Sequence, residues 1–173
     1  MSHFLDNYRQ LTARVDALCK VIAAALGEQI TCSAGCSSCC TSITVFQVEA
    51  SALRVAVKNL PDRQAEEILR HVSEHAEGER CPLLLHHRCL LYEARPIICR
   101  THGLPIIYTT DGRHSSDCCP HNLSEVESLS GSNAIDIDKL NTLLVAVNSI
   151  YLSQTESVEP DVRVTIAEAL ARK

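Results

Sequence analysis

Tryptophan is absent from this 173-residue chain, aromatic residues make up 3% of it, and there is one methionine. A chain so poor in rings offers no platform on which nucleobases stack. Positive charge is also in deficit: 16 lysines and arginines stand against 21 aspartates and glutamates, a formal charge of −5, which argues against a phosphate-binding footprint. Long apolar runs are missing, with nothing near the about 20 consecutive residues that cross a bilayer. The stretch MSHFLDNYRQ has no basic segment leading into an apolar one, as export signals do. These absences lead us to expect a cytoplasmic protein with neither nucleic-acid nor membrane partners. The length suits a single domain, residues 1–173, able to bury its own core.

Cysteine, by contrast, is abundant: ten, at 19, 32, 36, 39, 40, 81, 89, 99, 118 and 119. In a reducing compartment clustered thiols bind metal or do redox chemistry more often than they form disulfides. Four of them crowd into TCSAGCSSCCTS, residues 31–42, where Cys39 and Cys40 are adjacent.

The pattern along the chain predicts a mainly α fold, a small irregular α(+β) metal-binding domain with helices packed around cysteine-bearing loops and a short hairpin. Phe4, Tyr8, Leu11, Val15, Leu18, Ile22 and Leu26 recur at helical spacing and predict an N-terminal helix over 3–26, stopped by Gly27. Cys19, beside that stripe, reads as a small buried hydrophobe. A short extended piece and a helix over 47–59 follow the first cysteine cluster, and another helix starts near Pro61 and Asp62. Apolar runs flanking His86, His87 and Arg88 predict a hairpin or tight bend. Arg95-Pro96 opens a short helix carrying Cys99 and Arg100, and LPIIYTT forms a strand before the DGR turn. LSEVESLSGSNAID reads as a loop. A helix over 138–152, capped near Asp136 or Asp138, and a last one from Pro160-Asp161 through Ala171 make up the C-terminal helices, 137–172.

Nine cysteines fall in three segments: Cys32, Cys36, Cys39 and Cys40; Cys81, Cys89 and Cys99; Cys118 and Cys119. One tetrahedral zinc takes four ligands, so nine candidates exceed a single ion. Neighbouring residues project differently, so the vicinal pair suits two metals, two irons of one cluster, or one metal and one structural role better than one ion. Soft thiolates accept zinc, copper(I) and iron–sulfur clusters alike. The Cys81-Pro82 and Cys119-Pro120 steps resemble those after a ferredoxin cluster ligand, without the full ferredoxin run. Thiolate charge calls for cations, and Arg95 and Arg100 are the expected partners, among Arg88, Arg95, Arg100 and Arg113 near the cysteines. His102 and His121 are spaced to complete a mixed site; His3, His71, His75 and His114 read as surface residues. Cys32, Cys36 and Cys39 also spell the C-x3-C-x2-C of radical S-adenosylmethionine enzymes, but they follow a helix where that fold requires a strand. A lone catalytic thiol with a positioned base, such as Cys99 with His102, explains fewer of the cysteines than metal does.

The segments CSAGCSSCC, CPLL and CLLYEARPIICRTHGLP together resemble the YkgJ-type cysteine-cluster family, zinc- or iron-chelating proteins with a CxxCxxCC signature. The resemblance covers about residues 30–122. It maps the signature onto Cys36, Cys39 and Cys40 and the later cysteines onto Cys81, Cys89 and Cys99, with Cys32 one residue farther away than the pattern has it. Cys118 and Cys119 lie beyond its most familiar part. We expect a metal-binding protein in which Cys36, Cys39, Cys40, Cys81, Cys89 and Cys99 form the main site, with Cys32, Cys118 and Cys119 completing it or making a second, holding an iron–sulfur cluster or zinc for metal or cluster carriage, electron transfer or structural metal binding, with metal ions and a protein as partners. A related motif in flagellin lysine N-methylases implies a second class, an enzyme or enzyme subunit using the centre. A third is a partner-binding module in which metal is only structural.

Overall fold

Helix α1, Asp6–Leu26, follows a 3₁₀ turn at His3–Leu5 and buries Tyr8, Leu11, Val15, Ile22 and Leu26. The computed structural model describes residues 3–32, 35–122, 133–155 and 162–171. Gly27 ends α1 at φ +53°, a left-handed backbone that favours glycine. Leu18, expected on the buried stripe, is 43% exposed, whereas Cys19 packs against the core from the helix flank.

Strand β1, Thr44–Val45, leads into α2, Gln47–Lys58. Helix α3, Asp62–Glu74, starts after Pro61 as proline chemistry predicts. A minimal hairpin follows, β2 Leu84–Leu85 against β3 Arg88–Cys89. Its two turn residues, His86 and His87, have φ of +48° and +61°, as a two-residue primed turn requires. Helix α4, Ile97–Thr101, carries Cys99.

Strand β4, Ile106–Thr110, pairs antiparallel with β5, Arg113–Asp117, through Asp111-Gly112, and parallel with β6, Ile135–Asp136. Neither β5 nor β6 was expected: RHSSD has no apolar alternation, and β6 is two residues long. Most of the expected loop over 123–136 lies outside the described residues. Helix α5, Ile137–Gln154, is capped by Asp136, which accepts from the Lys139 N–H at 3.0 Å.

The last helix departs from expectation. Strand β7, Val164–Thr165, pairs with β1, and α6 spans only Ile166–Ala171. Thr165 and Glu168 form a reciprocal cap, Thr165 N–H to Glu168 Oε2 at 2.7 Å and Glu168 N–H to Thr165 Oγ1 at 3.1 Å. That cap fixes the helix start at Ile166, and the positions around Pro160-Asp161 lie outside the described residues.

Two apolar clusters hold these elements. The first joins α1 to Ile97, Leu104, Ile135 and the Leu140–Leu144 face of α5. The second joins α2, α3 and α6 to Leu83 and Leu91, and Cys81 and Cys89 pack against it. Glu49, 3% exposed, links the helix starts: its carboxylate accepts from the N–H groups of Phe46 and Ile97, each at 3.0 Å. Burial pushes its pKa up, the two backbone donors opposing. The fold is thus a small α(+β) domain with six α-helices among the described residues. None of them is long and apolar enough to cross a membrane.

Candidate metal centre

Residues 40–42 run antiparallel beside residues 79–81. The Cys81 N–H donates to Cys40 O at 3.1 Å, Ser42 N–H to Glu79 O at 2.8 Å, and Thr41 bridges to Arg80. The hairpin then sets Cys89 opposite Leu84, and α4 supplies Cys99 from its first turn. All four of Cys40, Cys81, Cys89 and Cys99 are part-buried. Their charges act on one another: Cys99 is pushed up to about 12, first by burial and then by Cys81, Cys89, Cys40 and Glu49. Burial likewise raises Cys40, with Cys81 next, and Cys81, with Cys89 adding to it. We call these four the inner group.

Two of the inner thiols share a backbone device. Cys81 Sγ accepts a hydrogen bond from the Leu83 N–H, and Cys89 Sγ accepts one from the Leu91 N–H. In each of CPL and CLL the donor lies two residues after the cysteine. Such bonds favour the thiolate over the thiol and so oppose the effect of burial.

The remaining thiols gather elsewhere. Cys32 has Cys119, Cys36 and Cys39 as its charged neighbours, and Cys39 has Cys40 and Cys36. Burial is the first cause raising both Cys32 and Cys39. Cys32, Cys36 and Cys39 are exposed, and Cys118 and Cys119 part-buried. The vicinal pair stands at the junction, the Cys39 thiol donating to Cys40 Sγ. Cys19 belongs to neither group: its thiol donates to Arg100 O at 3.5 Å.

Asn122, 3% exposed, ties this outer group together. Its Oδ1 accepts from the Thr31 N–H at 2.9 Å, and its Nδ2 donates to Gly103 O at 2.5 Å and Cys32 Sγ at 3.4 Å. Its own N–H closes a turn onto Cys119 O at 2.8 Å. Gly103 sits at φ +94°, and a Cβ there would lie 2.7 Å from Cys32 Sγ.

Of the expected arginines, Arg95 acts on an inner thiol and Arg100 is engaged by oxygen acceptors. Arg100 pairs with Asp16 at 2.5 Å and donates to Glu93 O and Arg95 O. Arg95 lies 4.0 Å above the Tyr92 ring while its charge lowers the Cys89 pKa. Arg80 is the cation whose charge favours the thiolates of both Cys40 and Cys81. It also holds Ser37 O at 2.8 Å. Its place directly before Cys81 was the available sequence signal; Asn122 and Glu49 offered none. His102 and His121 are not among the inner thiols. Both line a cleft of about 380 Å³ with Cys39, Cys118 and Cys119.

As placed, no three Cys, His, Asp or Glu donors among the described residues come close enough to hold a metal ion. The donor chemistry nonetheless fits one: four mutually repelling thiols, two of them already hydrogen-bonded as thiolates would be. Against known families, residues 31–122 match the model CxxCxxCC, described as a putative zinc- or iron-chelating domain. Comparison with curated proteins and with solved structures finds no match.

Proposed function

Because the chain belongs to the CxxCxxCC family of zinc- or iron-chelating domains, we propose that it is a metal-binding protein whose inner group, Cys40, Cys81, Cys89 and Cys99, holds one tetrahedral ion, zinc or iron. The observation that carries this reading is the backbone frame that ties Cys40 to Cys81 and sets Cys89 in the adjoining hairpin, a four-thiol neighbourhood drawn from two of the three cysteine segments, with the Leu83 and Leu91 N–H groups favouring the thiolates of Cys81 and Cys89. Soft, deprotonated sulfur ligands suit either metal. Four thiolates on a divalent ion leave a charge of −2, which the cations of Arg80 and Arg95 and the two backbone donors offset. Loading draws the four sulfurs inward by side-chain rotation and releases their protons.

The test is anaerobic purification with thiols kept reduced and both metals supplied, followed by metal analysis and a visible spectrum. We expect an ion that resists dialysis in the wild type and is lost in Cys40→Ser/Cys99→Ser. A reduced wild type that binds neither metal, or a double variant with unchanged metal content, overturns the reading. Colourless protein with zinc, against coloured protein with or without sulfide, distinguishes zinc from iron.

A further inference from the structure

We propose that the outer group, Cys32, Cys36, Cys39 and Cys119, is a second metal centre, distinct from the inner one, that takes up and gives up a thiophilic ion through the adjoining cleft. The inference rests on the reading of the inner group above. The vicinal pair supplies the first argument. Cys40 is backbone-bonded to Cys81, whose charge acts on it ahead of that of Cys36, whereas Cys39 lines the cleft beside Cys118 and Cys119. The two sulfurs meet, the Cys39 thiol donating to Cys40 Sγ, and once that proton is released one backbone step can serve two ions, Cys40 beside Cys81 and Cys39 at the cleft.

The second argument is the clamp. A buried Asn122 makes four side-chain bonds that bring residues 31–32, residue 103 and the 119–122 turn to one place. Gly103 presents no Cβ, and the space that one would occupy is filled by Cys32 Sγ. The Asn122 amide spends one N–H on Gly103 O and the other on Cys32 Sγ, which fixes that sulfur from its buried side. A hydrogen bond of that kind orients a metal ligand.

Exposure and spare donors then separate the two centres in behaviour. The inner thiols are all part-buried, while three of the four outer thiols are exposed. Cys118, His102 and His121 line the same cleft and offer incoming ligands for exchange without the ion ever being bare. Metal carriage requires such a labile position, and the inner group lacks one.

Native mass spectrometry of the reduced full chain titrated with zinc counts the ions, and cobalt(II) reports thiolate ligation through its charge-transfer absorption. We expect two ions per chain, one for each four-thiol group, with one removed much faster than the other by excess chelator. Cys32→Ser/Cys119→Ser should keep one ion, the slow one. Asn122→Ala should weaken only the fast site, by about tenfold. A wild type holding a single ion that Cys40→Ser/Cys99→Ser abolishes sinks the second centre and leaves the inner one standing. No bound ion sinks both. Two ions retained in Cys32→Ser/Cys119→Ser, or both lost, also refutes the division, the latter when circular dichroism shows the variant folded.

Discussion

The inner and outer thiol groups use the same residue type to opposite effect. The inner group is built on backbone pairing: the 40–42 segment beside 79–81, the hairpin that sets Cys89, and a helix start that carries Cys99. Its walls belong to the second apolar cluster. The outer group stands on loops, and its order comes from the side chain of Asn122 and the bare face of Gly103. Backbone scaffolds resist local opening better than side-chain clamps do. The comparison therefore supports the proposed division, a permanent position at the inner group and an exchangeable one at the outer.

The largest break in that comparison should come from Glu49. Its carboxylate satisfies the buried N–H groups of Phe46 and Ile97, and Ile97 begins the helix that carries Cys99. Glu49→Ala leaves both donors without an acceptor, and we expect a loss of roughly 3 kcal/mol of unfolding free energy in urea. The inner group should loosen with it. The wild type should also show a pH slope that the variant lacks. Burial raises the folded pKa of Glu49 above 4.5 despite the opposing Ile97 and Phe46 donors and the cations Arg163 and Arg100, with Tyr8 also facing it. Folding then favours the protonated form: the contribution is complete below 4.5 and is lost as pH rises through the raised folded value. Urea midpoints measured at increasing pH across that window should fall for the wild type and stay level for the variant.

Gly103→Ala addresses the outer group alone. An alanine there must adopt φ +94° and bring its Cβ to 2.7 Å from Cys32 Sγ. We expect a cost of about 2 kcal/mol, with Cys32 displaced from Asn122. Timed alkylation of the metal-free protein, read by peptide mass, should show Cys32 labelled faster and Cys81 and Cys89 unchanged. Equal acceleration at all three would mean that the groups are not independently framed.

The parts of this architecture that follow from local periodicity were legible in the sequence. Leu11, Val15, Ile22 and Leu26 marked α1, Pro61-Asp62 marked α3, and the two histidines marked the hairpin. What was not legible depends on partners distant in the chain. The polar RHSSD becomes a strand because Ile106–Thr110 pairs with it, and α6 starts late because Val164 pairs with Val45. The site divides the same way. The three cysteine segments stood out, and the adjacency of Cys39 and Cys40 suggested more than one metal atom without saying whether they share a site. Which thiol meets which is a tertiary property that spacing does not encode, and Asn122 acts on Cys32 across 90 positions.

The smallest effect concerns the only direct bond we find between the two frames among the described residues that involves a histidine. Ser37, 7% exposed within the outer loop, meets His87 Nδ1 of the inner hairpin at 3.0 Å. His86 and His87 both hold left-handed backbone, which costs a residue with a Cβ about 1 kcal/mol. Glycine relieves that strain and loses some of the gain to its looser unfolded chain, so His86→Gly should raise stability by about 0.5 kcal/mol. His87→Gly gains the same relief but forfeits the Ser37 bond, worth about 1 kcal/mol, and should come out slightly less stable than wild type. The order His86→Gly above wild type above His87→Gly, in urea midpoints of the metal-free protein, measures how firmly the hairpin steadies the loop between Cys36 and Cys39. If both glycines stabilise equally, the Ser37–His87 bond carries no coupling, and Ser37 is tied to the inner frame through Arg80 alone.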